Sequence, residues 1–117
     1  MRVIALLTVL LIGASSFESV ENQLLPTKLR VTVIDGLGNF VEDASVSIYE
    51  TEEDYRASKN PVASMKTDNK GRVTFKDLKT ISYFIDARKG DMNNDGEGVK
   101  TAALSEGRIN KVNTVIE

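Results

Sequence analysis

The stretch Asp91-Met92-Asn93-Asn94-Asp95-Gly96-Glu97-Gly98 holds the most specific arrangement of chemistry-bearing side chains in the sequence. Asp91, Asn93, Asp95 and Gly96 follow the first half of a calcium-loop pattern, D-x-[DN]-x-[DN]-G. The spacing matters because alternate side chains of a tightly curled loop point to one centre. Calcium, a hard cation, takes oxygens from carboxylates, amides and carbonyls. At the twelfth position, where a helix–loop–helix calcium loop places a bidentate Glu, this chain has Ala102. Strands rather than helices are expected on both sides. A site here would therefore be strand–loop–strand, with Asp91, Asn93, Asp95 and Glu97 as ligands and Asp86 as an alternative source of the missing acid. Its affinity would fall in the extracellular range, about 10⁻⁴ to 10⁻³ M. Asn, Asp and Gly are also what long hairpin loops are made of, so a plain turn stands beside the calcium reading.

Other candidates are weaker. Glu50, Glu52, Glu53 and Asp54 form an acidic run, but nothing sets two of them across a cleft as glycoside hydrolysis requires. A solvated helix start accounts for them. Tyr49, Tyr55 and Phe84 are expected to be exposed, Tyr49 and Phe84 on faces opposite the core, which suits partner contact. The chain has no Trp, the ring that sugar sites favour.

Absences exclude whole classes. Without His there is no Ser-His-Asp triad, no imidazole acid or base near neutral pH and no His-ligated zinc. Without Cys there is no thiol nucleophile, disulfide, iron–sulfur cluster or thiolate metal site. Fifteen basic residues against 17 acidic ones give a net charge of −2, which argues against nucleic acid as a partner. The chain of 117 residues allows one domain, and its 41% hydrophobic and 27% charged content is globular.

The elements that must position these residues begin after an address. Met1-Arg2 supplies a positive start, Val3 to Ile12 is apolar except for Thr8, and Gly13-Ala14-Ser15-Ser16 offers a small-residue exit. This is the pattern of a secretory signal peptide over residues 1–16, cleaved after Ser16. The apolar run is short of the ~20 residues a membrane span needs, and no Cys is present for lipid attachment. Removal of the leader takes Arg2 with it, leaving 14 basic and 17 acidic residues, net −3. Residues 17–27 read as a flexible polar lead-in closed by Pro26, and residues 28–117 as the folded domain.

From Lys28 onward the apolar period is close to two, the signal of strands. Leu29, Val31 and Val33 alternate with polar residues, as do Ala44, Val46 and Ile48. Strands are also expected over 62–67, 72–76, 81–88, 99–104 and 109–116, the last two joined by a turn at Glu106-Gly107. The spacing predicts an all-β, seven-stranded antiparallel two-sheet sandwich with Greek-key connections. Val31, Val33, Val46, Ile48, Val73, Phe75, Leu78, Tyr83 and Ile85 are its expected core. One interval differs: Thr51 as N-cap, acids at Glu52-Glu53-Asp54 and bases at Arg56 and Lys59 predict a short helix near 52–58. It is expected to cross between the sheets.

The run Val33-x-Asp35-x-x-Gly38-x-x-Val41-x-x-Ala44-x-Val46, then Thr67-Asp68-x-x-Gly71-x-Val73-x-Phe75-x-x-Leu78 and Tyr83-x-Ile85-x-Ala87, resembles the carboxypeptidase regulatory-like domain. The resemblance spans roughly Lys28 to Lys89 and implies a transthyretin-like (prealbumin-like) sandwich, recurrent in secreted bacterial proteins as an accessory or binding module. In residue terms the glycines serve turns, and Thr67-Asp68 opens a hairpin through local side-chain hydrogen bonds. Hydroxyisourate hydrolases share the fold but depend on histidine, which excludes that activity here. Collagen-adhesin B-type repeats often carry a Lys–Asn isopeptide crosslink. The candidates here, Lys28 and Asn113, fall on the outward phase of their strands, where no crosslink is expected.

The sequence therefore points to an exported, secreted or periplasmic, non-enzymatic β-sandwich module with a binding or structural role in the cell envelope. Its partner would be a protein or a glycan. A calcium-dependent surface or adhesion component using residues 91–98 is the alternative.

Overall fold

A computed structural model describes residues 25–117. The expected signal peptide and most of the lead-in lie outside the described residues. The chain forms β1 (Lys28–Asp35), β2 (Ser45–Tyr49), α1 (Glu52–Ala57), β3 (Ala63–Lys66), β4 (Arg72–Phe75), β5 (Phe84–Lys89), β6 (Met92–Asn93) and β7 (Ile109–Ile116). A three-stranded sheet, β4-β1-β7, packs on a four-stranded sheet, β3-β2-β5-β6.

Period two decides the packing. In β1, Leu29, Val31 and Val33 are fully buried, and Val46 and Ile48 of β2 meet them from the other sheet's inner face. Val73, Phe75, Tyr83 and Ile85 complete the expected core as buried residues. Leu78 differs: it lies half-buried against the cluster because it sits in the turn after β4 rather than in a strand.

Three expectations are corrected. The sandwich is not wholly antiparallel, because β1 and β7 run parallel from Lys28↔Ile109 to Asp35↔Ile116. The reason lies in the second correction. Residues 99–104 form no strand, only an isolated bridge, Phe84↔Lys100. This irregular stretch carries the chain back to the end of the sandwich where β1 starts, so β7 leaves in the direction of β1. Thr101 breaks the expected ladder: its hydroxyl accepts from Tyr83 N–H (3.0 Å) and donates to the Ala102 carbonyl (2.7 Å). A side chain that bonds neighbouring backbone competes with regular pairing. Third, α1 does not cross between sheets. It joins β2 to β3 within the four-stranded sheet and packs on β2 and β5.

The ends of the strands are tied by polar side chains. The Asp35 carboxylate accepts from Leu37 N–H and Asn39 N–H, both at 2.9 Å, and that of Asp68 accepts from Lys70 N–H and Arg72 N–H, also at 2.9 Å. The same D-x-x-G device thus builds both turns, and these bonds hold both carboxyls below the usual range. Thr67 reaches further than a local turn. It is buried, donates to the Val41 carbonyl (2.6 Å) and accepts from Ala44 N–H (2.9 Å), so it fastens the β1–β2 connection. Thr27 is likewise buried and accepts from Gly107 N–H at 2.9 Å.

One long side of the sandwich is sewn shut. Asn93 N–H donates to the Glu117 carbonyl (3.1 Å) and Glu117 N–H to the Asn93 carbonyl (3.0 Å), which joins β6 to the end of β7. No helix among the described residues is long and apolar enough to cross a membrane.

Candidate functional site

The 91–98 stretch is two structures rather than one loop. Lys89 pairs with Met92, so Gly90-Asp91 is a two-residue hairpin turn. Gly90 has φ +59°, the conformation that glycine supplies at the first centre of a type II′ turn. A second turn follows, closed by Glu97 N–H to the Asn94 carbonyl at 2.9 Å. Asp91 is exposed at the hairpin tip, whereas Asp95 and Glu97 are exposed on the second turn. Asn93 accepts from Asp95 N–H (3.0 Å) and so spends its amide oxygen inside the turn. Asp86 points from the outer face of β5 and bonds Arg88 at 3.0 Å. Among the described residues no three acids are grouped as a metal ion would need. The structure does bring Asp86 and Asp95 together, through Arg88, whose guanidinium lies 3.8 Å from Asp95.

The residue with the most bonds in this stretch is one the ligand pattern passes over. Asn94 is fully buried. Its Oδ1 accepts from Ala87 N–H (3.0 Å), and its Nδ2 donates to the Ile85 carbonyl and to Thr114 Oγ1, each at 2.9 Å. Thr114 in turn donates to the Glu97 carbonyl at 2.8 Å. One amide therefore holds β5, the second turn and β7 together. The only sequence signal was that Asn94 continues the alternation of β6 onto the inward phase.

That clasp sets the second turn against α1 and the outer face of β5. The result is an open depression of about 340 Å³ lined by Glu52, Tyr55, Arg56, Phe84, Asp95, Gly96 and Val99. The elements follow from local sequence. Thr51 Oγ1 accepts from Asp54 N–H at 3.1 Å, and a Glu52–Arg56 ion pair runs along the helix. This places Tyr55 over the sheet, on the phase of Phe84, Asp86 and Arg88. Tyr55 stacks on Phe84 at 6.0 Å (28° between planes) and meets Tyr49 edge-on at 6.0 Å (76°). Lys100 Nζ lies 5.5 Å from the Phe84 ring centre, within cation–π range.

Tyr49 is a correction to the expected exposed aromatics: α1 covers it and leaves it buried. Tyr55 and Phe84 stay half-exposed as the floor. Burial, with Asp95 and Asp86 nearby, pushes the Tyr55 hydroxyl up from its ordinary pKa. The Asp86 carboxylate raises that of Arg88. Both groups therefore keep their neutral-pH charge states, and the paired charges fix the rim. Two rings framed by ion pairs can stack on a flat apolar or sugar face and hydrogen-bond its edge.

Lys28 and Asn113 are four rungs apart in the β1–β7 ladder, pairing respectively with Ile109 and Thr32, and Asn113 is exposed. The geometry holds them apart.

No family model matches the chain, and no curated protein matches it. Among solved structures it is similar to the Bacillus anthracis TIE protein, at 22% identity and TM-score 0.54 over 79% of this chain and 17% of that one. It is also similar to a streptococcal ancillary pilin, at 14% identity and TM-score 0.57 over 80% of this chain and 32% of that one. Chlorocatechol 1,2-dioxygenase from Pseudomonas putida matches at 15% identity and TM-score 0.50, over 79% of this chain and 60% of that one. The chain spans less than two thirds of each of these proteins. Likeness at such identities is likeness of fold, and one sandwich serving a pilin and a dioxygenase carries no activity with it.

Proposed function

We propose that this chain is an exported, non-enzymatic β-sandwich module, of the carboxypeptidase regulatory-like kind, that works by surface contact in the cell envelope. The Tyr55–Phe84 depression is its contact face. One observation carries this reading. The buried polar side chains among the described residues are Thr27, Thr67, Asn94, Thr101 and Thr114, and each is spent on hydrogen bonds that hold the fold. No buried side-chain polar atom among the described residues lacks a partner. What the module does falls to its surface, where the aromatic floor and its ion-paired rim are the most organised feature. The fold-level likeness to an ancillary pilin is compatible with an envelope role.

The test places a photo-cross-linking residue at Arg56, on the rim, or at Lys111, exposed on β7. Discrete adducts from Arg56 in intact cells and none from Lys111 are expected. Equal adduct patterns from the two positions would overturn the contact face. The mass of the exported chain should show residues 1–16 removed, and retention of Met1 would overturn the export reading.

A further inference from the structure

Among the described residues, the outer face of the β4-β1-β7 sheet carries bases and no acid. In β1 the residues out of phase with the core are Lys28, Arg30, Thr32 and Ile34, and in β7 they are Ile109, Lys111, Asn113 and Val115. Arg72 and Thr74 take that phase in β4, and the exposed Lys76 continues it one residue on. Asp35 and Asp68 stand beside the turns at one end of this face, Asp77 and Glu106 in the connections at the other. Lys28, Arg30, Arg72, Lys76 and Lys111 thus share one surface of a chain whose net charge is −2. α1 lies on the other sheet, and no described helix or strand covers this one.

The fold does not use these bases. Arg30 and Lys111 are register partners on neighbouring strands, and like charges set opposite each other destabilise a ladder. Among the described residues Lys28, Arg30, Lys76 and Lys111 join no ion pair, and Arg72 has Asp68 at 4.0 Å. The opposite face differs, because there Glu50, Glu52, Asp86 and Asp95 are matched by Lys79, Arg56 and Arg88. A second copy would therefore present acids already engaged. Two features say what kind of anion fits instead. A cavity of about 370 Å³ in the opening between β3 and β4 continues the face, with Arg30, Arg72 and Thr74 on one side and Met65 and Lys66 on the other. Arg30 spends only its Nε–H, on the Thr74 hydroxyl at 3.3 Å, and a guanidinium offers a fork that suits a carboxylate. At the other end stands Phe40, bridged to Ile34, 63% exposed and set against Gly71, the neighbour of Arg72.

We infer that this face binds an anionic polysaccharide, with its acidic groups on the bases and a sugar ring on Phe40. The site goes beyond the Tyr55–Phe84 contact face and does not rest on it. From Lys28 to the Thr32–Arg72 rung the bases extend about 13 Å along the strands, and about 10 Å across the three of them. One oxyanion cannot bridge that area, so the ligand is extended and repeats its charge. Thr32, Thr74 and Asn113 lie between the bases and suit a partner rich in hydroxyls. A nucleic acid would call for a row of rings to stack its bases, and Phe40 is the one ring on this face among the described residues. An anionic bilayer would meet Asp35 and Glu117 at the very end where Phe40 and the 89% exposed Leu37 could enter it, because Glu117 lies against Gly36.

The test uses the full chain at about 0.15 M salt, where weak surface attraction is screened. The probes are polygalacturonate, polyphosphate (a repeated charge with no sugar ring) and vesicles of phosphatidylglycerol with phosphatidylcholine. Polygalacturonate should bind. Arg30→Gln with Lys111→Gln should weaken it about tenfold and lower its salt slope by about two, one for each base removed. Lys28→Gln with Lys76→Gln should act the same way, so the result does not hang on one variant folding. Lys59→Gln with Lys89→Gln takes the same charge from exposed sites elsewhere and should change binding less than about twofold. Phe40→Ala should weaken polygalacturonate severalfold and leave polyphosphate as it was. No binding of polygalacturonate, or equal losses from face and control variants, overturns the inference. Polyphosphate bound as tightly, with Phe40→Ala silent, overturns the sugar. Vesicles bound in preference overturn it in favour of a membrane. A polydisperse polymer leaves a smear rather than a discrete adduct at Lys111, so this readout and cross-linking at Arg56 can fail separately.

Discussion

Replacing Asn94 by Ala removes three hydrogen bonds made by a fully buried side chain. The N–H of Ala87 and the carbonyl of Ile85 lose their partner in a place water does not reach. An orphaned buried group costs about 1–3 kcal/mol, so the substitution should cost about 3–5 kcal/mol in all. Residues 25–117 as a folded unit are worth roughly 5–14 kcal/mol, so the loss takes a large share of the total. In urea, with a slope near 1 kcal/mol per molar, the midpoint should fall by about 3–5 M. A companion substitution separates hydrogen bonding from volume. Asn94→Asp keeps the shape and the acceptor for Ala87 N–H, but turns an oxygen toward the Ile85 carbonyl where Nδ2 now sits at 2.9 Å. Only the protonated acid can donate there, so burial and the lost donor raise the folded-state pKa. A raised folded pKa means stability present below the unfolded value and lost as pH rises through the folded one. The Asp variant should therefore trail the parent most at pH 7 and recover on acidification. A cost below about 1 kcal/mol for Asn94→Ala, or an Asp variant equal to the parent at pH 7, would refute the clasp.

Four further outcomes follow from the same geometry. Gly98→Ala should destabilise more than Gly96→Ala in thermal melts. Both have positive φ, but a Cβ at Gly98 would lie 2.8 Å from the Asn113 carbonyl, while at Gly96 it meets open space; equal losses would put the whole cost in backbone conformation. Asp35 and Asp68, held low by turn N–H groups, contribute stability present above their unfolded pKa of about 3.9 and lost as pH falls through the lower folded value. An Asp35→Asn, Asp68→Asn variant should accordingly show a flatter acid limb between pH 5 and 2, and an unchanged limb counts against the two turns. With Asp91 at one turn and Asp95 and Glu97 on another, melting temperatures in millimolar calcium and in chelator should coincide. A rise with calcium that vanishes in Asp91→Asn, Asp95→Asn would support the ligand set with Asn93 and Glu97. Phe75→Ala should cost about 3–5 kcal/mol in a denaturant melt, Phe75 being 2% exposed; a loss under 1 kcal/mol would place its ring outside the core.

Features written into neighbouring residues were legible in the sequence. The inward phase of β1, β2 and β4 follows from alternation alone, and Thr51 with three acids after it marks the start of α1. The two D-x-x-G turns announce themselves because an Asp carboxylate reaches its own backbone two and four residues on. Features that depend on distant residues were not legible. Residues 99–104 alternate well enough to pass for a strand, and Thr101 undoes them with bonds to Tyr83 and Ala102 that spacing does not reveal. The direction of β7 depends on where that irregular stretch delivers the chain. Tyr49 faces outward as the alternation says, but whether an outward ring is exposed depends on Tyr55, six residues on and in a different element. For the candidate site, Asp95 and Phe84 were singled out for unrelated reasons, and only the fold makes them neighbours.

Asn94 shows what the calcium pattern does not read. A D-x-N-x-D run selects alternate positions and treats those between as spacers, which holds when all the residues sit on one curled loop. Here β6 begins inside the run, and period two takes over. Asn93 lies on the surface phase and Asn94 on the inward one, so the spacer becomes the structural residue. The same substitution of roles recurs at Thr67, Thr101 and Thr114. Each is a small β-branched residue that fills space much as Val would while offering a hydroxyl to backbone that no ladder serves. A sandwich with a parallel pair and an irregular return stretch has more such backbone than a regular meander, and these residues answer it. That economy leaves the outer face of β5 and the β3–β4 opening free of structural duty. Tyr55 and Phe84 lie outside that network: Tyr55 covers Tyr49 and stacks on Phe84, and in the proposed contact face these rings are what a partner would meet.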